Sequence, residues 1–465
     1  MLENIGNFIT TTADFVCGYP LFFLLIGGGL YLFISSGFVS IRRLPYSIAE
    51  LRKKGSSDDS QKGEISSVQA LVSVVAATVG LGNIAGVAIA LYIGGPGSIF
   101  WMWISAIVGM ATKYHEGVLS IMYRGIDENG KHKGGPMYII ERAFGRKWRP
   151  LAMFFAFAGL FGTMCIINAN QLTEATVATF TTTTGIENST FLASIGSITG
   201  LNNLEAFKLL IGLGMAAIVS LVVIGGITRI ANVATIVVPA MVTGYFLMVL
   251  YIIITHITQV PEVFANIFVE AFNFKAGLGA FFGVAIVGAR RAALVNDAGV
   301  GTASIMHGTS KNNQPVREGL IAMLGPSLDS GFVCTLTAIA LLLCGDFTGN
   351  GDVKGLEVAM KAFGDAIPAG QYMLMVIAFF FAISSMFSYS FYGSECFGYL
   401  FGNRRAKYYN YFFIASLVVF SVVPLNAAVS VCDLFYALMA FPTMFTLIVL
   451  SGKVRDASKK YFGSK

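Results

Sequence analysis

The sequence is poor in charge and in the residue types that build catalytic or metal centres. Only 12% of its 465 residues are charged, about half the fraction typical of soluble domains, and 55% are hydrophobic. Its four histidines form no cluster with cysteine, so no metal site or catalytic set is expected. The six cysteines lie in or beside apolar segments without paired spacing, which favours buried thiols over disulfides. These shortages exclude a soluble globular domain, and we expect neither an enzyme nor a bound cofactor.

What the chain has instead is a series of apolar segments of about 20 residues, the length that an α-helix needs to cross a bilayer. The sequence therefore predicts an all-α polytopic membrane protein, a single domain over residues 1–465, with eleven transmembrane helices. These lie at residues 15–36, 66–93, 96–122, 150–182, 206–225, 230–255, 276–306, 317–345, 371–401, 408–424 and 427–450. The first is expected to be retained, because it lacks the basic start and cleavage site of a signal peptide. Two polar loops are expected near 184–205 and 346–370.

Basic residues are distributed unevenly between the two sides that this alternation defines. With the N-terminus outside, 26 of the 31 Lys and Arg residues fall on the inner side, including Arg290 and Arg291. The excess of positive charge in cytoplasmic loops then predicts an outside N-terminus, a cytoplasmic C-terminus and an odd number of spans. The net charge of +6 is mostly this topological signal and requires no nucleic-acid partner.

The ten spans after the first can be divided into two sets of five, residues 66–255 and 276–450. Each set opens with a long span interrupted by glycines, and the second set is inverted relative to the first because five is odd. Inverted repeats with interrupted helices at corresponding positions indicate the central site of a transporter. This division rests on topology alone, because the halves show no residue-level identity.

The most informative segment is residues 76–86, with the sequence AATVGLGNIAG. Two glycines beside Asn83 in mid-membrane weaken the helix, so neighbouring groups must satisfy the freed backbone. An unwound segment would present carbonyl oxygens suited to Na⁺ and N–H groups suited to a carboxylate. The alternative is that these glycines serve close packing between helices.

Several motifs together resemble the alanine or glycine:cation symporter family, the sodium:alanine symporters of the amino acid-polyamine-organocation superfamily. The motif at residues 78–86 is followed by GGPGSIFWMW at 94–103 and GMATK at 109–113. The likeness continues through 134–138, 225–230, 291–302 and 379–393, and thus over nearly the whole chain. Residues 79–83 also resemble the first broken helix of neurotransmitter:sodium symporters. The resemblance implies a LeuT-like 5+5 inverted repeat preceded by one extra N-terminal helix.

The resemblance also implies a Na⁺ site between the first and eighth core helices. Its ligands would be the carbonyls of Ala76 and Val79 and the hydroxyls of Ser384 and Ser385. Hard oxygen ligands without a required carboxylate suit a monovalent cation. Hydrogen bonding between helices is the alternative role for the two serines.

Substrate contacts are implied at the same break. The backbone of Gly80, Leu81 and Gly82 would hold the substrate carboxylate. Thr78 and Asn83 would offer side-chain oxygens to the substrate or to a second cation. The resemblance thus gives the break a role in binding both the ion and the substrate.

A matching break is expected in the sixth core helix, at the glycines of residues 279–288. It would place Phe282, Gly283, Ala285 and Ile286 around the amino group and the small side chain of the substrate. The alternative is a plain packing helix with a phenylalanine face.

Two positions on other core helices depart from the family pattern and are expected to line the pocket. Asn168 stands where the family has a glutamine, and Tyr389 lies where it has a tryptophan-containing motif. A shorter amide and a smaller aromatic ring would reshape the cavity and change the preferred amino acid. Residues 296–301 resemble another family motif, with Asp297 in place of its usual glutamate. We expect them towards the cytoplasmic end, in a gating role.

Three of the ionisable side chains inside the predicted spans have separate predictions. Lys113 and Glu116 are i,i+3 neighbours, for which a structural pair near the inner interface is expected. Glu174 lies deeper, where a carboxylate is costly and functional by default. It is either a proton-coupling site or part of a water-filled outer vestibule.

The sequence thus predicts a symporter in the inner or plasma membrane that couples Na⁺ influx to uptake of a small neutral amino acid such as alanine or glycine. Alternating access would be reached by rocking of one helix bundle, and the protein is expected to function as a monomer in the lipid bilayer. The alternatives are an H⁺-coupled amino-acid transporter and an amino-acid sensor on a transporter fold. A channel would need a continuous pore with a repeated filter, and the sequence offers one asymmetric site.

Overall fold

Apolar segments of this length fold as helices, because only intrasegment hydrogen bonds satisfy the backbone inside a bilayer. The computed structural model describes residues 10–13, 15–52, 63–128, 130–184, 186, 189–272, 278–345, 355–422 and 426–463. Secondary structure in these residues is almost entirely helical, apart from one short hairpin and an isolated bridge between Ile65 and Ser310.

The helices and strands of the first half are α1 (Tyr19–Phe22), α2 (Gly28–Ser35), α3 (Val39–Arg42), α4 (Leu44–Leu51), α5 (Ser67–Thr78), α6 (Val87–Gly94), α7 (Gly97–Met122), β1 (Gly125–Ile126), β2 (His132–Lys133), α8 (Pro136–Phe144), α9 (Arg149–Gly162), α10 (Ile166–Thr184), α11 (Thr190–Thr199), α12 (Asn203–Val223) and α13 (Gly226–Thr255). Those of the second half are α14 (Val260–Ala271), α15 (Leu278–Val295), α16 (Thr302–Gly308), α17 (Pro315–Ala322), α18 (Leu324–Pro326), α19 (Cys334–Cys344), α20 (Gly355–Ala366), α21 (Gly370–Phe401), α22 (Ala406–Val422) and α23 (Asn426–Gly463). Short π-helical turns lie at Phe23–Gly27, Gly82–Gly86 and Ser327–Val333, and 3₁₀ turns at Arg146–Trp148 and Asn403–Arg405.

Seven helical stretches in the described residues are long and apolar enough to cross a membrane, and the bent pair α5 and α6 adds an eighth. The polytopic all-α class is therefore confirmed, whereas the count of eleven spans is not. The predicted span 276–306 is divided between α15 and α16 by an irregular segment.

The two segments predicted as polar loops contain helices where the structure describes them. α11 lies in the first segment and α20 in the second, and residues 346–354 lie outside the described residues. The buried side chains of α20 include Leu356, Met360 and Phe363, which recur at three- and four-residue intervals and form one apolar face. The helical spacing of these apolar residues, rather than the high average polarity of the segment, determines that it folds as a helix.

One end of the molecule collects basic segments that are distant in sequence, and we call it the basic end. Arg124 donates hydrogen bonds to the carbonyls of Ser310 and Asn312, and Arg404 pairs with Glu128. Lys453 Nζ donates to the hydroxyl of Tyr123, which ties the C-terminal helix to the same end. The predicted clustering of charge is thus present in space.

Arg290 and Arg291 are exceptions to this clustering, and the prediction that they lie at the same end as the other basic segments is wrong. The neighbouring Ala289 carbonyl accepts a hydrogen bond from Ser105, the ninth residue of α7. A methyl group at Gly288 would overlap the Ser98 carbonyl at the start of α7. The arginine pair is therefore half-buried beside the first turns of α7, towards the end opposite the basic end.

Candidate functional site

The first break separates α5 from α6 in the interior of the bundle. α5 ends at Thr78, and the two halves of the broken span meet at a bend of 57°. Gly80 N–H donates to the Asn83 side-chain oxygen at 2.9 Å and to the Thr78 carbonyl at 3.0 Å, which replaces helical bonding across the bend. The predicted interruption at these glycines is confirmed. Leu81 and Gly82 open the next helical segment, whose first N–H groups lack intrahelical partners.

Two serines of α21 lie against the backbone of this break. Ser384 Oγ lies 3.4 Å and Ser385 Oγ 3.2 Å from the Ala76 carbonyl oxygen. Both hydroxyls also reach the Phe381 carbonyl of their own helix, so their oxygens are held at the crossing of two helices. Val79, the fourth predicted ion ligand, is fully buried and ends α5 in a non-helical conformation. The structure thus brings the predicted ion ligands into one region.

Asn168 joins the same region from α10. A methyl group at Gly80 would approach Ser385 Oγ too closely, at 2.8 Å, and would make ordinary contact with Asn168 Nδ2 at 3.8 Å, so both side chains lie next to the break. The Asn168 amide donates to Cys165 Sγ at 3.2 Å, and Cys165 has a left-handed backbone at the kink between α9 and α10. Asn168 thus lies beside the break, and its role as a wall of the substrate pocket stays a prediction.

Thr78 contacts a buried acid that the sequence analysis did not single out, and Asn83 lies in the same neighbourhood, against Cys334. Asp329 is fully buried and accepts a hydrogen bond from Thr78, while one of its oxygens has no partner in the described part of the chain. Asn83 Nδ2 lies 3.5 Å from Cys334 Sγ, one turn beyond Asp329. A carboxylate in the middle of a predicted apolar span was the available signal for this residue.

The second break lies at residues 296–301, not at the glycines of residues 279–288. α15 is continuous over those glycines, so the prediction of a break there is wrong. Asp297, Gly299 and Gly301 all have positive φ values, of 53°, 90° and 98°, and these left-handed residues interrupt the helix. Glycine and aspartate adopt a left-handed backbone at a lower energetic cost than most residues do. The break separates α15 from the short helix α16.

This second break is also more central than predicted. Methyl groups at Gly82 and Gly86 would each lie within 3.8 Å of Val295 Cγ2, so α15 ends beside the first break. Asn296 packs against Gly109, the thirteenth of the 26 residues of α7. The predicted position towards the cytoplasmic end is therefore wrong, because the two breaks share one level of the bundle.

Phe282, Gly283, Ala285 and Ile286 are not brought to the breaks. Val287, which follows them, packs at Gly94, the last residue of α6. Gly94 is twelve residues beyond Gly82, a helical rise of about 18 Å. The four residues lie still further along α15, and Phe282 is 56% exposed. Their predicted grouping around the substrate depended on a break that the helix does not have.

Buried charges surround the second break. Glu116 Oε1 accepts the N–H of Gly299 at 2.7 Å, and Asp297 accepts the hydroxyl of Tyr389 at 2.9 Å. Lys113 is fully buried, interacts electrostatically with both carboxylates and has no hydrogen-bond partner among the described residues. The predicted pairing of Lys113 with Glu116 near the inner interface is therefore wrong. Both side chains lie beside the second break, and they form no direct salt bridge.

Tyr389 extends this buried group rather than standing alone as a pocket wall. Its hydroxyl lies 3.4 Å from that of Tyr436, and Tyr436 also hydrogen-bonds Asp297. Tyr389 and Asp297 both depart from the family pattern, and the structure joins them by a hydrogen bond. That link required the second break to be central, which the sequence did not indicate.

Glu174 belongs to a different region, on the side of the molecule opposite the basic end. It forms a salt bridge with Lys208 at 2.5 Å, and its side chain is 37% exposed. One turn further along α10, Ala178 lines a cavity of about 470 Å³ together with Glu357 and Lys361 of α20. These contacts favour the vestibule alternative over an isolated proton-coupling carboxylate.

The chain is similar over nearly its whole length to known transporters. The sequence profile described as the sodium:alanine symporter family matches residues 2–465. The chain is 35% identical to the sodium/alanine symporter AgcS of Methanococcus maripaludis, over 98% of this chain and 97% of that protein. It is 31% identical to the amino-acid carrier protein AlsT of Bacillus subtilis, over 99% and 93%. It is 28% identical to the probable sodium/glutamine symporter GlnT of the same organism, over 100% and 92%.

The fold has a counterpart among solved structures. The crystal structure of MhsT in complex with L-phenylalanine, a LeuT-fold transporter, superimposes with a TM-score of 0.56 at 16% identity, covering 85% of this chain and 90% of MhsT. The chain therefore resembles known transporters in its fold as well as in its sequence. The chain belongs to the sodium:alanine symporter family and is a multi-pass membrane transporter.

Proposed function

We propose that this transporter couples Na⁺ influx to the uptake of a small neutral amino acid. The observation that carries the proposal is the meeting of the Ala76 carbonyl with the hydroxyls of Ser384 and Ser385 at the first break. Unwound carbonyls and hydroxyls are the ligands with which transporters of this architecture hold Na⁺. A cation there would join α5 to α21 and favour one arrangement of the bundle.

The substrate carboxylate is proposed to bind at the start of the helical segment beyond the break. Leu81 and Gly82 open that segment, and its N-terminus carries the positive end of the helix dipole. Asn168, close to Gly80, would limit the side chain that fits. The names of AgcS and GlnT indicate alanine and glutamine as the substrates to compare, and the shorter amide of Asn168 is expected to change which small neutral amino acid is preferred.

A second cation site is proposed at Asp329. The Thr78 hydroxyl hydrogen-bonds the Asp329 carboxylate in the turn before α19, and the Asn83 side chain contacts Cys334, the first residue of α19. A buried carboxylate needs a partner of opposite charge, because an uncompensated charge in the membrane interior is costly. If two cations bind, the dependence of the uptake rate on Na⁺ concentration should have a Hill coefficient above one.

The proposal includes an orientation and a monomeric transport unit. The basic end is placed in the cytoplasm by the positive-inside rule, which leaves the C-terminus inside and the N-terminus outside. Eleven spans arranged as one extra helix and a 5+5 inverted repeat fit this orientation and the likeness to MhsT. The inner or plasma membrane is the proposed location.

Proton coupling is the second candidate. Glu174 is already paired with Lys208 and partly exposed, so it is a poor site for a coupling proton. The buried group of Lys113, Glu116 and Asp297 is the better candidate for that role, because its carboxylates are enclosed beside the second break. An amino-acid sensor would use the same binding residues without accumulating substrate.

Uptake into proteoliposomes tests these functions together. Labelled glycine, L-alanine, D-alanine, L-serine and L-glutamine would be supplied with an imposed Na⁺ gradient, and then with a proton gradient only. We expect accumulation of a small amino acid that requires Na⁺. Accumulation with protons alone would assign the coupling ion as H⁺, and binding without accumulation would indicate a sensor. Uptake of none of the five would contradict the substrate class.

A further inference from the structure

A cavity of about 470 Å³ lies at the basic end, away from both breaks. Its wall is formed where the first apolar span ends, by α7, and by the last turns of α23. Arg42, Arg43, Arg455 and Lys459 contribute to the lining, which contains no acidic side chain. The transport mechanism proposed above uses none of these residues.

The four cations are available to a ligand. None of them forms a salt bridge with a carboxylate in the described part of the chain, and Asp456, next to Arg455, is outside the lining. Four like charges around one cavity repel one another, and an anion would relieve that repulsion. The guanidinium fork of arginine matches the oxygens of a phosphate group in particular.

The cavity also has an ordered polar floor and an aromatic side. The Tyr114 hydroxyl, fully buried, lies 2.6 Å from Ser458 Oγ. The Arg43 guanidinium stacks 3.9 Å above the Phe462 ring, which fixes the direction of this side chain. The basic wall is therefore partly preorganised.

Large apolar side chains beside the cavity face outwards. Ile34, Phe38 and Ile41 are 56%, 46% and 59% exposed, and they lie on the same short segment as Arg42. On a membrane protein these side chains would contact acyl chains, while the cations lie where the spans end and lipid headgroups begin. A ligand that fits both features has an anionic headgroup and a hydrocarbon tail.

We infer that this cavity binds the phosphate of an anionic phospholipid headgroup, at a site that joins the N-terminal helices to α23. The same phosphate chemistry could come from soluble inorganic phosphate, which lacks a tail and would ignore the exposed apolar side chains. A zwitterionic headgroup carries a choline that the four cations would repel. Selectivity for a net negative lipid is the property that distinguishes this site from general contact with the bilayer.

Thermal unfolding of the delipidated full-length protein in detergent tests the inference. The additives would be dioctanoyl phosphatidylglycerol, dioctanoyl phosphatidylcholine and sodium phosphate at equal concentrations. We expect only phosphatidylglycerol to raise Tm in a saturable manner. The double variant Arg42→Gln/Arg455→Gln should require about tenfold more of this lipid, because two cations near the surface are removed. Both side chains are exposed, so folding should be retained.

The double variant Arg405→Gln/Lys407→Gln is the matched control, because it removes two cations from the basic end outside the cavity. It should respond to phosphatidylglycerol as the unmodified protein does. Should the first double variant fail to fold, Lys459→Gln alone would be titrated, with a smaller expected shift. Equal responses to the two lipids, an unchanged response in the cavity variant, or a Tm rise with inorganic phosphate alone would overturn the lipid assignment.

Discussion

Ser385 belongs both to the proposed ion site and to the contact between α21 and the first break. Its hydroxyl contacts the Ala76 carbonyl and lies within reach of any atom added at Gly80. Removing one oxygen from a cation's ligand shell weakens binding without opening a large cavity. The residue therefore separates an effect on the ion from an effect on folding.

Ser385→Ala should raise the Na⁺ concentration for half-maximal uptake about tenfold. This change corresponds to the loss of a charge-assisted contact that contributes ~1.4 kcal/mol to Na⁺ binding. Sodium titration of amino-acid uptake into proteoliposomes measures this change. Ser390→Ala is the control, because Ser390 is equally buried on α21 and bonds only the Phe387 carbonyl of its own helix. Equal shifts in both variants would indicate a general packing effect and remove Ser385 from the ion site.

Lys113 is the corresponding residue for the second break. It is the buried cation between two buried carboxylates, and removing one partner of such a group leaves uncompensated charge. Lys113→Met should lower the free energy of unfolding by about 3–5 kcal/mol. Adding Asp297→Asn should recover part of this loss, since one unpaired charge is then neutralised.

Thermal unfolding of the single and double variants in detergent measures this coupling. If the two losses simply add, the charges do not stabilise each other.

At the scale of elements, the second break is held open by backbone conformation. Gly299 has a φ of 90°, and a methyl group there would approach Met444 Sδ at 2.5 Å and Leu25 Cδ2 at 2.9 Å. Its N–H is also the donor to Glu116. Conformation, packing and hydrogen bonding therefore all depend on this one glycine.

Gly299→Ala should destabilise the protein by at least about 2 kcal/mol and abolish uptake, because the break cannot keep its geometry. Gly214→Ala is the control. Gly214 lies in α12, where an added methyl group would meet open space among the described residues, so the free energy of unfolding should rise by about 1 kcal/mol. Folded, active Gly299→Ala protein, judged by size-exclusion chromatography and uptake, would show that the left-handed turn is dispensable.

At the scale of the whole molecule, the basic end is closed between the two broken spans. Glu64 N–H donates to the Thr309 carbonyl, and Lys311 N–H donates to that of Ile65. Glu318 accepts hydrogen bonds from Ser67, His307 and Asn312 at 2.6–2.9 Å, all within the protein interior. Opening this end in the proposed alternating-access cycle would require these contacts to break.

Glu318→Gln should weaken this closure by about 1.5–3 kcal/mol, because its charge-assisted hydrogen bonds are lost. A cysteine introduced by Ser310→Cys, at a fully buried position, should then react faster with a water-soluble maleimide. Arg404→Gln should leave the rate unchanged, since its pair with Glu128 is exposed and contributes little. An unaltered rate in the Glu318→Gln background would mean that other contacts hold the end closed.

Much of this protein is determined by local sequence. The apolar lengths fixed the helical class, the glycines beside Asn83 fixed the first break, and the clustered basic residues identified one end of the molecule. These properties follow from short segments, because hydropathy, helix weakening and charge act over a few residues. The positions of Ser384 and Asn168 beside the break followed from the family resemblance rather than from such local rules.

Only the tertiary structure decided where the second break lies and which charges meet there. α15 remains helical through its glycines because its flanks pack closely on α7, whereas residues 296–301 are held in left-handed turns by Glu116 and Tyr389 from other helices. The buried Asp329 likewise receives a hydrogen bond from Thr78, which lies some 250 positions away in sequence. A break and a buried charge are stable only with partners that supply their missing hydrogen bonds and opposite charges, and those partners come from distant parts of the chain.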